Sequence, residues 1–67
     1  MRKLIVHLAG GTEVTMETPA DPGAIYEALT GKDDWLIVED KHDERHYLSI
    51  RQIAYLTFVS RQDIGFS

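Results

Sequence analysis

The stretch EDKHDERHY, residues 39–47, places two histidines and four carboxylates within nine residues. Such side chains bind zinc, and the four-residue spacing of His42 and His46 would bring both to one face of a helix. The stretch lies between two patterns typical of β-strands, however, where this spacing separates side chains by more than about 10 Å. We therefore predict a solvated hairpin tip and no metal; the alternative is a zinc site at His42 and His46 with Asp43 or Glu44 as third ligand.

Catalytic chemistry is not indicated by any local motif. The parts of a nucleophile–base–carboxylate set are present in His7, Ser49, Ser60, Asp33 and Asp34, but no motif joins three of them. The sequence contains neither Gly-x-Ser-x-Gly nor the Gly-Lys-Ser/Thr of a P-loop. We predict that the protein is not an enzyme and holds no cofactor.

Length and charge narrow the class of protein further. The chain has 67 residues and no cysteine, which predicts one small domain without disulfides, typical of a reducing compartment. The net charge is −4, with 11 acidic against 7 basic residues, and the basic residues are scattered. Nucleic-acid binders need clustered cations, so we predict no nucleic-acid partner unless folding assembles a basic patch.

The first eleven residues, MRKLIVHLAGG, begin like a signal peptide. Their apolar run is short, contains His7 and ends at two glycines, so we predict the first strand of a cytoplasmic protein. No stretch has the apolar length of a membrane span.

Residues 2–18 predict a β-hairpin. A two-residue Gly10-Gly11 turn would place Leu8 opposite Glu13 and mix apolar and charged side chains on one face. We prefer a three-residue loop, 9–11, with Gly11 in the left-handed conformation of a bulge. This register gives two apolar and two polar cross-strand pairs: Val6–Val14, Leu4–Met16, Lys3–Glu17 and His7–Glu13.

The segment TPADPGAIYEALTGK predicts a helix of about nine residues, with Asp21 as its cap, Pro22 at its first position and Gly31 at its end. DWLIVED and RHYLSI predict a third and a fourth strand, and QIAYLTFVS a fifth, with SIRQ as a tight or helical turn before it. The expected fold is α+β, a single antiparallel sheet of four to five strands with one short helix in the order β-β-α-β-β(-β). Residues 1–60 form one domain, and 61–67 form a tail.

The third and fifth strands carry apolar residues on both faces, which one nine-residue helix, about 14 Å long, cannot cover. Either the sheet curls into a small barrel or a second copy covers it. We favour a homo-oligomer, in which a partner subunit orders the tail. The residues predicted for core and interface are Trp35, Ile37, Leu56 and Phe58, with Ile64 and Phe66 of the tail as further contacts.

Two other kinds of partner stay open. An acidic inhibitor could block a nucleic-acid or nucleotide site on a partner enzyme, and the residues that would present its charge are Asp33, Asp34, Glu39, Asp40, Asp43 and Glu44. A small oligomeric RNA- or DNA-binding protein could stack bases on Trp35, Tyr47, Tyr55 and Phe58, although aromatic residues at strand spacing are more often core.

The stretches VHLAGGTEVT and YLSIRQIAYLTF resemble parts of small single-domain proteins of Gram-positive bacteria and their phages. In those proteins a glycine-turn hairpin, a short helix and a closing strand that begins Ile-Ala-Tyr recur. The resemblance implies this fold and an origin in a phage or mobile element. It implies no active residue.

Overall fold

The computed structural model describes residues 1–59, so the predicted tail 61–67, with Ile64 and Phe66, lies outside the described residues. The α+β class and the order of elements are confirmed. The elements are β1 Arg2–Leu8, β2 Glu13–Thr18, α1 Pro22–Thr30, β3 Trp35–Glu39, β4 Arg45–Ser49, a 3-10 helical turn Ile50–Gln52 and β5 Ile53–Val59.

The β1–β2 hairpin has the predicted three-residue loop. Gly11 has a φ of 95° in the left-handed region, its backbone N–H donates to the carbonyl of Leu8 at 2.9 Å, and the N–H of Leu8 donates to the carbonyl of Thr12 at 2.8 Å. All four predicted cross-strand pairs are confirmed. The alternation of side chains along the two strands therefore places Leu4, Val6 and Met16 on the buried face.

The strands form two antiparallel sheets where the sequence predicted one. The first sheet has the order β2-β1-β5, and the second consists of β3 and β4. The 3-10 helical turn separates them: the N–H of Ile50 donates to the carbonyl of Asp34 beside β3, and the carbonyl of Gln52 accepts from the N–H of Ala9 beyond β1. Within three residues the chain thus leaves one sheet and enters the other, so that β5 pairs with β1.

The core lies between the two sheets. Its buried apolar residues come from both sheets and from the helix: Leu4, Val6, Met16, Ile25, Leu36 and Val38. The fully buried hydroxyl of Thr18 donates to the carbonyl of Glu39 at 2.7 Å and accepts from the N–H of Ala20 at 3.1 Å. This side chain joins the end of β2 to the end of β3.

Helix α1 has the predicted cap and end. The carboxylate of Asp21 accepts from the N–H of Gly23 at 2.9 Å, and Pro22 occupies the first position. Ile25 is buried against the core, whereas Tyr26 is exposed. Among residues 1–59 no helix is long and apolar enough to cross a membrane.

Candidate functional site

The outward side of the β3–β4 ribbon carries three large exposed side chains that are apolar or aromatic. Along β3 the residues alternate between buried and exposed, so Leu36 and Val38 enter the core while Trp35 and Ile37 face outward. Tyr47 of β4 lies directly opposite Ile37. The exposed fractions of Trp35, Ile37 and Tyr47 are 55%, 54% and 59%. We call these three residues the outer ribbon face.

The outer ribbon face reaches the size at which apolar patches on monomers are often functional. A Trp or Tyr side chain carries about 150–250 Å², so three residues that are more than half exposed present a patch on the order of 300 Å². A contiguous patch of that size is typical of an interaction site in a small protein, whereas singly scattered apolar residues are not.

The predicted interface residues fall into three groups. Trp35 and Ile37 belong to the outer ribbon face. Leu56 and Phe58 are half-buried and pack against the core, and Ile64 and Phe66 lie outside the described residues. Sequence reasoning did not include Tyr47 in the interface, although its aromatic type and its position directly after His46 on a predicted strand were visible signals.

The four aromatic residues considered as a base-stacking platform do not lie on one surface. Trp35 and Tyr47 are on the outer ribbon face, and Phe58 packs against the core of the molecule. Tyr55 lies in the other sheet, where its ring stacks on His7 with centroids 4.0 Å apart and 13° between the planes. The fold therefore separates the platform into two surfaces.

Asp40 closes the turn between β3 and β4, which we call the hairpin tip. One oxygen of its carboxylate, Oδ1, accepts from the backbone N–H groups of His42 and Glu44 at 2.8 and 3.1 Å. The other, Oδ2, lies 2.9 Å from Nε2 of His46. The hydrogen bond with His46 is the main cause that lowers the pKa of Asp40 to about 2, and the two backbone N–H groups add to it. Asp43 adopts a left-handed conformation with a φ of 65°, which makes the turn tight.

Of the four residues named for the alternative zinc site, the structure places two, His46 and Glu44, in a group of donors. Ligand atoms of Asp40, Glu44 and His46 lie within 4.8 Å of one another, and His42 is not in this group. Three donors are one fewer than a structural zinc site uses. Both oxygens of Asp40 already accept hydrogen bonds. Sequence reasoning did not include Asp40 among the possible metal ligands, because Asp40 joins this group only when the turn closes around its carboxylate.

A cavity of about 380 Å³ lies between the hairpin tip and the β1–β2 hairpin. Its walls are formed by Lys3, Thr15, Met16, Glu17, Asp40, Lys41, His42 and His46. Nζ of Lys41 lies 3.6 Å from a carboxylate oxygen of Glu17 and so bridges the two walls. Lys3, although opposite Glu17 in the predicted register, is not its ion-pair partner among the described residues.

The predicted acidic surface is divided in two. Asp33 and Asp34 precede β3, and the other four residues follow or end it, so the length of the strand, about 17 Å, separates the groups. Within the second group, Asp40 is bound to His46, and Glu39 lies 3.3 Å from Nε of Arg45. Hydrogen bonds with the Tyr47 hydroxyl and then with Glu39 raise the pKa of Arg45.

The side chains considered for catalysis are not assembled. His7 lies 3.4 Å from Glu13 on the three-stranded sheet, whereas Ser49 is in the other sheet, opposite Trp35. Asp33 and Asp34 form no ion pair within the described part of the chain, and Ser60 lies outside it.

Comparison of the chain with protein-family models, with curated proteins and with solved structures gave no match.

Proposed function

We propose that this protein acts by binding, without catalysing a reaction, and that it assembles with a second copy of itself through the outer ribbon face. The observation that carries the proposal is the exposure of Trp35, Ile37 and Tyr47 side by side on one ribbon. Burial of apolar surface is the main favourable term in protein association, at roughly 25 cal/mol per Å².

A second copy suits this face because a twofold contact needs only one patch that is complementary to itself. A stable interface buries about 800 Å² on each partner, so a patch on the order of 300 Å² forms the centre and polar neighbours complete the rim. Glu39 and Arg45 are such neighbours, because they form the next pair on the same side of the ribbon after Ile37 and Tyr47. The expected dimer is weak, with a dissociation constant in the micromolar range.

Salt distinguishes this proposal from the acidic inhibitor. Two copies with a net charge of −4 each repel one another, and added salt screens that repulsion, so self-association becomes stronger from low to moderate salt. An inhibitor that binds a basic groove through carboxylates would lose affinity over the same range. Asp43 and Glu44, exposed at the hairpin tip, are the residues that favour this second candidate function.

A cytoplasmic location and an origin in a phage or mobile element belong to the same proposal. Their support is the absence of cysteine and the resemblance of VHLAGGTEVT and YLSIRQIAYLTF to small proteins of Gram-positive bacteria and their phages.

Sedimentation velocity over a series of micromolar concentrations tests the self-association. The unchanged protein is expected to shift from monomer to dimer, and Ile37→Ser is expected to stay monomeric. Tyr26→Ser is the matched control, because Tyr26 is exposed to 67% on the helix, away from the ribbon. A monomer at every concentration, or an equal loss of dimer in Tyr26→Ser, would contradict the proposal.

A further inference from the structure

Folding gathers basic side chains that the sequence scatters. Of the seven Lys and Arg residues and three histidines in the chain, the cavity between the hairpin tip and the β1–β2 hairpin is lined by Lys3, Lys41, His42 and His46. They come from β1, the turn and β4. Two acidic residues, Glu17 and Asp40, share the same walls.

Both acidic residues are already engaged. Asp40 accepts hydrogen bonds from two backbone N–H groups and lies 2.9 Å from Nε2 of His46. Glu17 is paired with Lys41, at 3.6 Å. Within residues 1–59, the side chains of Lys3 and His42 have no carboxylate within 4 Å. Among the described residues, the cavity therefore keeps N–H donors on Lys3 and His42 that no carboxylate engages, while its two lysines and two carboxylates balance in formal charge.

The Lys41–Glu17 pair can open at little cost. Its two side chains are about half exposed, and at 3.6 Å the contact is long. Exposed pairs of this kind contribute little, about 0–1 kcal/mol, so a stronger acceptor can recruit Lys41. The hydroxyl of Thr15, in the same wall, is a further donor.

We propose that this cavity binds a small phosphate-bearing molecule. Lys3 of β1 and Lys41 of the turn supply charge, and His42 supplies a further N–H donor, which suits the three terminal oxygens of a phosphate monoester. The volume of about 380 Å³ lies at the lower end of ligand-binding cavities and leaves room for an organic group beside the phosphate. A polyanion such as nucleic acid is disfavoured, because the whole chain carries a charge of −4. The site is independent of the outer ribbon face.

Titration with inorganic phosphate, followed by backbone and imidazole NMR signals, tests the proposal. The signals of Lys41 and His42 are expected to shift and saturate, whereas acetate at the same ionic strength shifts them less. Lys3→Met and His42→Gln are each expected to weaken phosphate binding about tenfold, the loss of one hydrogen bond to a charged group. Both side chains are exposed, so the variants keep the fold.

Lys32→Met is the matched control, because it removes the same charge outside the cavity and should leave the affinity within about twofold. Three results would overturn the proposal: shifts that rise linearly without saturation, equal weakening in Lys32→Met and Lys3→Met, or tighter binding of a short single-stranded oligonucleotide than of inorganic phosphate.

Discussion

Ile37 and Tyr47 lie directly opposite each other across the β3–β4 ribbon, and more than half of each side chain is exposed. One residue away on the same strands, Leu36 and Leu48 form the next pair and pack in or against the core. The ribbon thus carries apolar or aromatic side chains on both sides. Its inner side packs into a core shared with the helix and the three-stranded sheet, and its outer side carries the face that we propose for self-association.

The Asp40–His46 contact predicts an acid-sensitive hairpin tip. The pKa of Asp40 is lowered from 3.8 to about 2, so its ionised form stabilises the fold. That contribution is complete above about pH 4 and is lost as the pH falls through 2, because the unfolded state then binds the proton more readily. Thermal melts between pH 5 and pH 2 should show a steeper loss of stability in the unchanged protein than in Asp40→Asn. Parallel pH profiles for the two proteins would contradict this assignment.

Gly11 should be the less replaceable of the two loop glycines. An L residue at its φ of 95° is strained, and Gly11→Ala is expected to cost about 1–2 kcal/mol in the free energy of unfolding. Gly10→Ala is the control, because its φ is ordinary and an added Cβ would meet nothing within 4 Å; it should change stability by less than about 0.5 kcal/mol. Denaturant unfolding measures both. Equal costs at the two positions would argue against the three-residue loop.

The hydrogen bonds of the Thr18 hydroxyl should contribute more to the free energy of unfolding than the volume of the side chain does. Thr18→Val keeps the shape but leaves the carbonyl of Glu39 and the N–H of Ala20 without their partner, at a cost of about 1–3 kcal/mol. Thr57→Val, on the exposed side of β5, should change the free energy of unfolding by less than about 0.5 kcal/mol. If Thr18→Val is as stable as the unchanged protein, the link between β2 and β3 contributes nothing.

Local features of the fold could be predicted because short-range chemistry decides them. The alternation of side chains and the left-handed Gly11 determine the register of the first hairpin, and Asp21 with Pro22 determines where the helix begins. Each of these depends on residues less than twenty positions apart.

The division into two sheets could not be predicted in this way. It depends on β5 pairing with β1, which brings Val59 opposite Lys3 from the other end of the chain. No short-range signal distinguishes this pairing from a continuous meander, because the turn at Ile50–Gln52 is compatible with both. The surplus of apolar residues was correctly located on β3, whose inward residues share one core with apolar residues of the three-stranded sheet and with Ile25 of the helix.

The candidate sites show the same contrast. Trp35 and Ile37 could be predicted as interface residues because the sequence of β3 is apolar on both faces of the strand. The roles of Asp40 and Lys3 could not be predicted from the sequence. The role of Asp40 requires the hairpin tip to close around its carboxylate. The role of Lys3 requires β1 to lie beside a turn almost forty residues later in the chain.

The fluorescence of Trp35 reports directly on self-association through the outer ribbon face, because this residue is the single tryptophan of the chain and lies on that face. If two copies bury that face, the emission of a concentrated sample is blue-shifted and acrylamide quenches it less. Dilution through the micromolar range then shifts the emission to the red and increases the quenching. Ile37→Ser should show the red, quenchable emission at every concentration. Emission and quenching that do not change with the concentration of the unchanged protein would contradict self-association through this face.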